Sequence, residues 1–345
     1  MFLRNAWYVA ARDCDVTHAL RPTRVLGERI VLYRSSAGDP IALEDACPHR
    51  KLPLSMGRLC GDEVECGYHG LVFSSSGRCT RVPASTVIPR GAQVRSYPAV
   101  SRHGLVWVWM GDATRANPEQ IFPVQHADDP RWGRDHGGEM TVDCNYLYIT
   151  DNLLDPSHVA WVHRTSFGNS ECEEVPIQVT TSTDGLIAWR WMQDVEVAPF
   201  YAQFVRFGGR ADRLQHYEVR FPSHAIIRAV FVPAGTGGEG KPLHPDAMLM
   251  DSYNFLTPVD EDHTRYFWFQ ARNFAPRDQQ VSQRMDEGVR AVFEEDRAIL
   301  AAVHEGLKNR VTPNIDLGSD RAPNLFRLRL KKLIAAEREP EPVGT

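Results

Sequence analysis

The stretch CPHRKLPLSMG, residues 47–57, sets Cys47 and His49 one residue apart in a proline-bearing loop. It has an echo in CGYHG, residues 66–70, where Cys66 and His69 stand two residues apart. Four soft or borderline donors thus come from two neighbouring loops. Two kinds of site use such donors: a Cys2His2 zinc site, and a [2Fe–2S] cluster with cysteines on one iron and histidines on the other. Zinc modules usually pair like with like. Here each loop offers one thiol and one imidazole, which suits a cluster whose two irons must both be reached from each loop. Pro48, Pro53, Gly67 and Gly70 tighten the loops, and Ser55 and Tyr68 are candidate hydrogen-bond donors to cluster sulfides.

Outward from these loops, the first hundred or so residues read as short strands broken by turn residues: RIVLYR, IALED, LVFSS and LVWVWMGD. GDATRANPEQIFP then reads as a linker. Beyond it come a helix-compatible segment at 144–163, strands between 175 and 270, and a helix at about 278–309. The fold class expected is α+β. A 345-residue chain has room for two domains, and the change of character places them at 1–115 and 116–345. GTGGEGKP, residues 235–242, reads as a flexible hairpin loop or lid. The net charge of −5 is spread without blocks, which argues against a nucleic-acid stripe or a membrane patch. With no apolar run near ~18 residues and an odd count of 7 scattered cysteines, a cytoplasmic protein without a disulfide framework is expected.

In DNLLDPSHVAWVHRTS, residues 151–166, His158 and His163 lie five positions apart, about 140° on an undistorted helix. A π-bulge or helix end must bring them together, and Pro156 makes a break chemically expected. Asp155 can share the face of His158. Two histidines need a carboxylate to complete a facial iron triad. In GVRAVFEEDRAILAAVHEGL, Asp296 lies beside an apolar stripe read as Val289, Val292, Phe293, Ile299, Leu300 and Val303, with Glu294 and Glu295 turned toward solvent.

The chain resembles the Rieske non-haem iron oxygenases, through Cys47-Pro-His49-Arg and Cys66-Gly-Tyr-His69-Gly. RNAWYVA, LVWVWMGD, CNYLYITDNLLDPSHVAWVH, YFWFQARNF and FEEDR extend the resemblance to nearly the whole chain. They are similar to the oxygenase components of vanillate O-demethylase, dicamba O-demethylase and toluene-sulfonate methyl-monooxygenase. Departures are Lys51 and Leu52 in the first loop, and DPSH in place of the relatives' DLxH or DFTH. The resemblance implies an N-terminal all-β Rieske domain and a C-terminal helix-grip (START-like) catalytic domain with an antiparallel sheet. It implies a Rieske [2Fe–2S] cluster on Cys47, His49, Cys66 and His69, and mononuclear non-haem Fe(II) on His158, His163 and Asp296. It further implies a terminal oxygenase that uses O2 and electrons from an NADH-dependent reductase carrying flavin and an iron–sulfur centre. The expected reaction is hydroxylation of a methyl or methoxy group of an aromatic acid, within a homotrimer active in aromatic catabolism. Asp155 would bridge His69 of one subunit to His158 of the next, Asn152 would lie close to the iron, and Arg220 and Asn254 would contact substrate. Ring dihydroxylation or N-demethylation would use the same metals. The reading from another class is a Rieske electron-transfer protein fused to a binding domain.

Overall fold

Leu26 and Gly27 both take positive φ, +52° and +83°, and so close a two-residue hairpin whose twist matches the strands Arg21–Val25 and Glu28–Arg34. Pro40–Glu44 and Ser96–Tyr97 complete that four-stranded sheet. A three-stranded sheet sets Trp7–Arg12 and Ala99–Arg102 on either side of Leu105–Trp109. A second four-stranded sheet runs Arg58–Cys60, Glu63–Glu65, Val72–Phe73 and Cys79–Arg81. Val31, Tyr33, Leu43, Leu54, Val64 and Phe73 form a core that also takes in Cys47 and Cys66. The computed structural model describes residues 1–173, 175–309 and 311–338. Its contacts divide the chain into two units: Met1–Pro123, with Thr257–Asp260 and the end from Ala336, and Val124–Leu256 with Glu261–Ala335. The break at Pro123 falls at the end of the expected linker rather than at 115.

In the second unit an eight-stranded antiparallel sheet runs from Gly133–Arg134 through Thr264–Arg272, Met248–Pro258, His224–Pro233, Ala211–Arg220 and Gly185–Val195 to Gln178–Thr181. Gly138–Val142 also pairs with Thr264–Arg272. The long helix Gln279–Gly306 begins at Asp278, whose carboxylate caps the N–H groups of Gln280 and Val281, and it packs on Gly138–Val142 and Thr264–Arg272. Its buried stripe is Val281, Met285, Val289, Val292, Phe293, Asp296 and Leu300. Ile299 and Val303, expected on this stripe, are 46% and 45% exposed. The sheet covers a narrower arc of the helix than the apolar residues span.

The helix-compatible segment at 144–163 is broken around Pro156, where its chemistry makes a break expected. Tyr146–Asn152 is one helix, Pro156–His158 a 3-10 turn, and Val159–Val162 a single further turn. Asp155 starts the new turn, its carboxylate accepting from the N–H and hydroxyl of Ser157 at 2.9 and 2.5 Å. The loop at 235–242 joins two paired strands as a hairpin, and buried Asp212 accepts from the Gly237 N–H at 2.7 Å, so the loop is tethered and not a free lid.

Candidate metal centres and their cavity

The two cysteine loops repeat one backbone design. The Cys47 N–H donates to the Leu52 carbonyl (2.9 Å) and the Lys51 N–H to the Cys47 carbonyl (2.8 Å). In the second loop Cys66 and Leu71 (2.8 Å), and Gly70 and Cys66 (3.0 Å), do the same. Both loops turn through left-handed backbone at the fifth residue, Lys51 at φ +60° and Gly70 at φ +70°. Lys51, a departure noted in the sequence, therefore occupies a position that glycine fills without strain. The loops bury both thiols and leave both imidazoles exposed, the His49 and His69 rings lying 4.5 Å apart edge to face. Burial raises the Cys47 thiol pKa, and the neighbouring Cys66 sulfur adds to this against a hydrogen bond from the His49 N–H. Two buried sulfurs and two paired imidazoles from mirrored loops fit a histidine-ligated [2Fe–2S] cluster. Ser55 is not free to serve a sulfide: its hydroxyl and N–H both go to buried Asp45, each at 2.7 Å. Tyr68 is exposed, its ring 3.9 Å from that of His69.

In the second unit His158, His163 and Asp296 offer ligand atoms that all lie within 4.8 Å of one another. The break at Pro156 and the end of the following turn at His163 achieve this. Each ring is held by its Nδ1: His158 at 2.5 Å from the Asp155 carbonyl, His163 at 2.7 Å from Glu295 Oε2. Their Nε2 atoms stand 3.8 and 3.2 Å from Asp296 Oδ1. Asn152 Nδ2 donates to the same oxygen at 3.0 Å. Burial pushes the Asp296 carboxyl up, but the His163 bond, the positive field of His158 and the Asn152 amide outweigh it, and the net shift is downward. For His163, burial pulls the pKa down, and Asp296 and Glu295 more than reverse it. Two imidazole nitrogens and a buried carboxylate converging on one point form the facial donor set that suits ferrous iron.

This donor set opens onto a cavity. Val159, Phe167, Ile227, Met250, Val292 and Phe293 give it apolar walls, while Tyr201, Tyr217, Ser252 and Asn254 add polar groups. Asn254, read from the sequence as a substrate contact, is here. Its Oδ1 accepts from the Tyr266 hydroxyl and its Nδ2 donates to the Ser252 carbonyl, both at 2.8 Å. Arg220 is not among the lining residues. Along Ala211–Arg220 the buried face carries Arg213, Gln215, Tyr217 and Val219, and Arg220 falls on the other face, bonded to Glu218 at 2.6 Å and 3.5 Å from Asp184. Sequence reading expects the pocket to be lined from segments that hold Tyr201 and Tyr217 but singles out neither, and it turns Glu295 toward solvent. The alternation on the 211–220 strand was the available signal for Tyr217. A helical wheel misses Glu295 because its carboxylate reaches back from a partly exposed position.

Both parts of the chain match known proteins. Residues 6–98 match the Rieske [2Fe-2S] domain, and residues 142–336 match the vanillate O-demethylase oxygenase C-terminal domain. The chain is 38% identical to an iron-sulfur subunit of the toluene-4-sulfonate monooxygenase system of Comamonas testosteroni, over 98% of both chains. It is 35% identical to a vanillate O-demethylase oxygenase subunit of a Pseudomonas species, over 92% of this chain and 97% of that one. Dicamba monooxygenase bound to 3,6-dichlorosalicylic acid superposes with a TM-score of 0.89 at 28% identity, covering 98% of this chain and 99% of that one. The chain therefore belongs to the Rieske non-haem iron oxygenases, in the family of vanillate O-demethylase oxygenase subunits. Within it, this protein is the oxygenase component of a Rieske-type monooxygenase.

Proposed function

We propose that this oxygenase hydroxylates a methyl or methoxy group of an aromatic acid, using O2 and electrons from a separate NADH-dependent reductase with flavin and iron–sulfur centres. The observation that carries the reading is the aromatic-walled cavity opening onto His158, His163 and Asp296. Similarity to proteins named for toluene-4-sulfonate, vanillate and dicamba supports the substrate class. One atom of O2 enters the substrate C–H bond, the other leaves as water, and NADH supplies the two electrons. On a methoxy group the product is a hemiacetal, which collapses to formaldehyde and a phenol.

Cys47, His49, Cys66 and His69 would hold the [2Fe–2S] cluster, and His158, His163 and Asp296 the ferrous ion. When bound, these groups supply electrons one at a time and activate O2 beside the substrate. The chain's own contribution is positional. Asn152 fixes the Asp296 carboxylate, the Asp155 carbonyl and Glu295 fix the two rings, and the apolar walls exclude water. Asp155 Oδ1 is taken up by Ser157, which leaves Oδ2 to receive an imidazole N–H from His69 of an adjacent copy in a head-to-tail homotrimer. No described helix is long and apolar enough to cross a membrane, and we place the protein in the cytoplasm.

The test is turnover with reductase, NADH and a panel of methoxy-, methyl- and N-methyl-substituted benzoates. Formaldehyde or benzylic alcohol in step with O2 uptake is expected. A cis-diol as the sole product would replace this reading with ring dihydroxylation, and no oxidised product from any member would return the chain to an electron-transfer role.

A further inference from the structure

The sheet face that lines the cavity also carries positive charge that nothing described in the chain neutralises by direct pairing. The strand Ala211–Arg220 points Arg213, Gln215 and Tyr217 to one face, and its neighbour Gly185–Val195 sets Arg190 opposite Gln215. Arg190 and Arg213 are 2% and 1% exposed. Arg190 donates to Gln215 Oε1 at 2.7 Å and to the carbonyls of Val175 and Pro156 at 2.9 and 3.2 Å. Arg213 donates to the Phe167 carbonyl at 2.8 Å and lies 3.6 Å from Cys172 Sγ, while its Nε has no hydrogen-bond partner among the described residues. Neither guanidinium has a carboxylate ion pair among the described residues. On His224–Pro233, the strand next to Arg213's, Arg228 does: it is bonded to buried Asp251 at 2.7 Å. Burying a cation without a directly paired counter-ion costs several kcal/mol, so two such groups on one face make a positive region, on which Asp155 acts through space at Arg190.

That region meets the cavity at two tyrosines. The Arg213 Cζ lies 5.2 Å from the Tyr201 ring and 5.0 Å from the Phe231 ring. Tyr201 and Tyr217 both line the cavity, where the only charged side chains among the described lining residues are those of the candidate iron ligands. We propose that Tyr201 and Tyr217, backed by Arg213 and Arg190, form the anion-receiving pole of the cavity and select aromatic carboxylates or sulfonates over uncharged aromatics of the same shape. This rests on the cavity being the substrate site. Burial holds the Tyr201 hydroxyl up at about 12 even though Arg213 pulls it down, so at neutral pH it is a donor for an incoming anion. The long side chains of the arginines need not enter the cavity: in a low-dielectric wall their charge acts through the aromatic layer.

The test is anaerobic equilibrium binding to the metal-loaded protein without reductase, by calorimetry. The probes are 4-methoxybenzoate, toluene-4-sulfonate and the uncharged isostere 4-methoxybenzamide. Wild type is expected to bind at least one anion about tenfold or more tighter than the amide. Arg213→Met and Tyr201→Phe should each weaken that anion by about ten- to a hundredfold and the amide by no more than about fivefold, so that the anion preference shrinks. Which anion binds tighter tells carboxylate from sulfonate. Should Arg213→Met not fold, Tyr201→Phe decides, because it keeps the ring packing. Anion preference surviving in the folded variants, or wild type binding the amide as tightly as both acids or binding none of the three, would overturn the proposal. The reaction itself is judged separately: turnover of 4-methoxybenzamide as fast as the acid keeps the oxygenase reading and removes this one.

Discussion

Asp135 is 5% exposed, accepts from the Gln270 N–H at 2.8 Å through Oδ1, and has no partner for Oδ2 among the described residues. Burial, with Asp286 adding to it, raises its pKa from 3.8 to about 7 against the pull of the Gln270 N–H, Arg134 and Arg272. The folded state therefore holds a proton between about pH 4 and 7 that the unfolded chain has released, so this group's contribution to stability falls as pH rises through that window. The loss amounts to at most roughly 4 kcal/mol. Asp135→Asn mimics the protonated acid. The variant's unfolding midpoint, relative to wild type, should rise between pH 5 and pH 8. A difference that stays flat over that range would mean Asp135 is already ionised in the fold at low pH. At this same scale, parity along a strand separates Arg213, on the cavity face, from Arg220 on the other.

The helix Gln279–Gly306 shows what a single element contributes. Its capping aspartate, its buried stripe and the inward place of Asp296 are all legible in the order of its residues. The reach of Glu295 is not, because it depends on where His163 ends a different, broken helix. Glu295→Ala removes the acceptor that orients the His163 ring and should weaken iron binding by about ten- to a hundredfold, with the fold intact. Iron content after dialysis at graded ferrous concentration, read beside circular dichroism, checks this. Wild-type iron retention in the variant would reduce Glu295 to a surface carboxylate near a histidine.

On the scale of the whole molecule, the candidate cluster ligands all belong to the first unit and the candidate iron ligands all to the second. The two sites also differ in how they bind. Two thiols 2% exposed within a core, with two exposed imidazoles, would hold one, and three side chains that line a cavity would hold the other. Dialysis of the purified protein against a ferrous-selective chelator is therefore expected to remove the mononuclear iron and leave the cluster's visible absorption. Parallel loss of both would show that the two ligand sets are not separate.

The residue order alone determined the donor types, because Cys-x-His and Cys-x-x-His in two tight loops leave few metals that fit. It also determined the two-part α+β organisation, from the change of hydrophobic period, and the inward carboxylate at 296, from helical spacing. Only the tertiary structure decided where the broken segment stops and turns, so that two histidines unable to meet on one regular helix converge on Asp296. It alone showed that Ser55 is consumed by Asp45, and that apolar residues such as Ile299 lie outside the buried arc. The physical reason is the range of the forces. Backbone propensity and metal-donor chemistry act within a few residues, whereas burial and hydrogen-bond satisfaction are settled by neighbours far apart in the chain, as between Asn152 and Asp296 or Arg213 and Phe167.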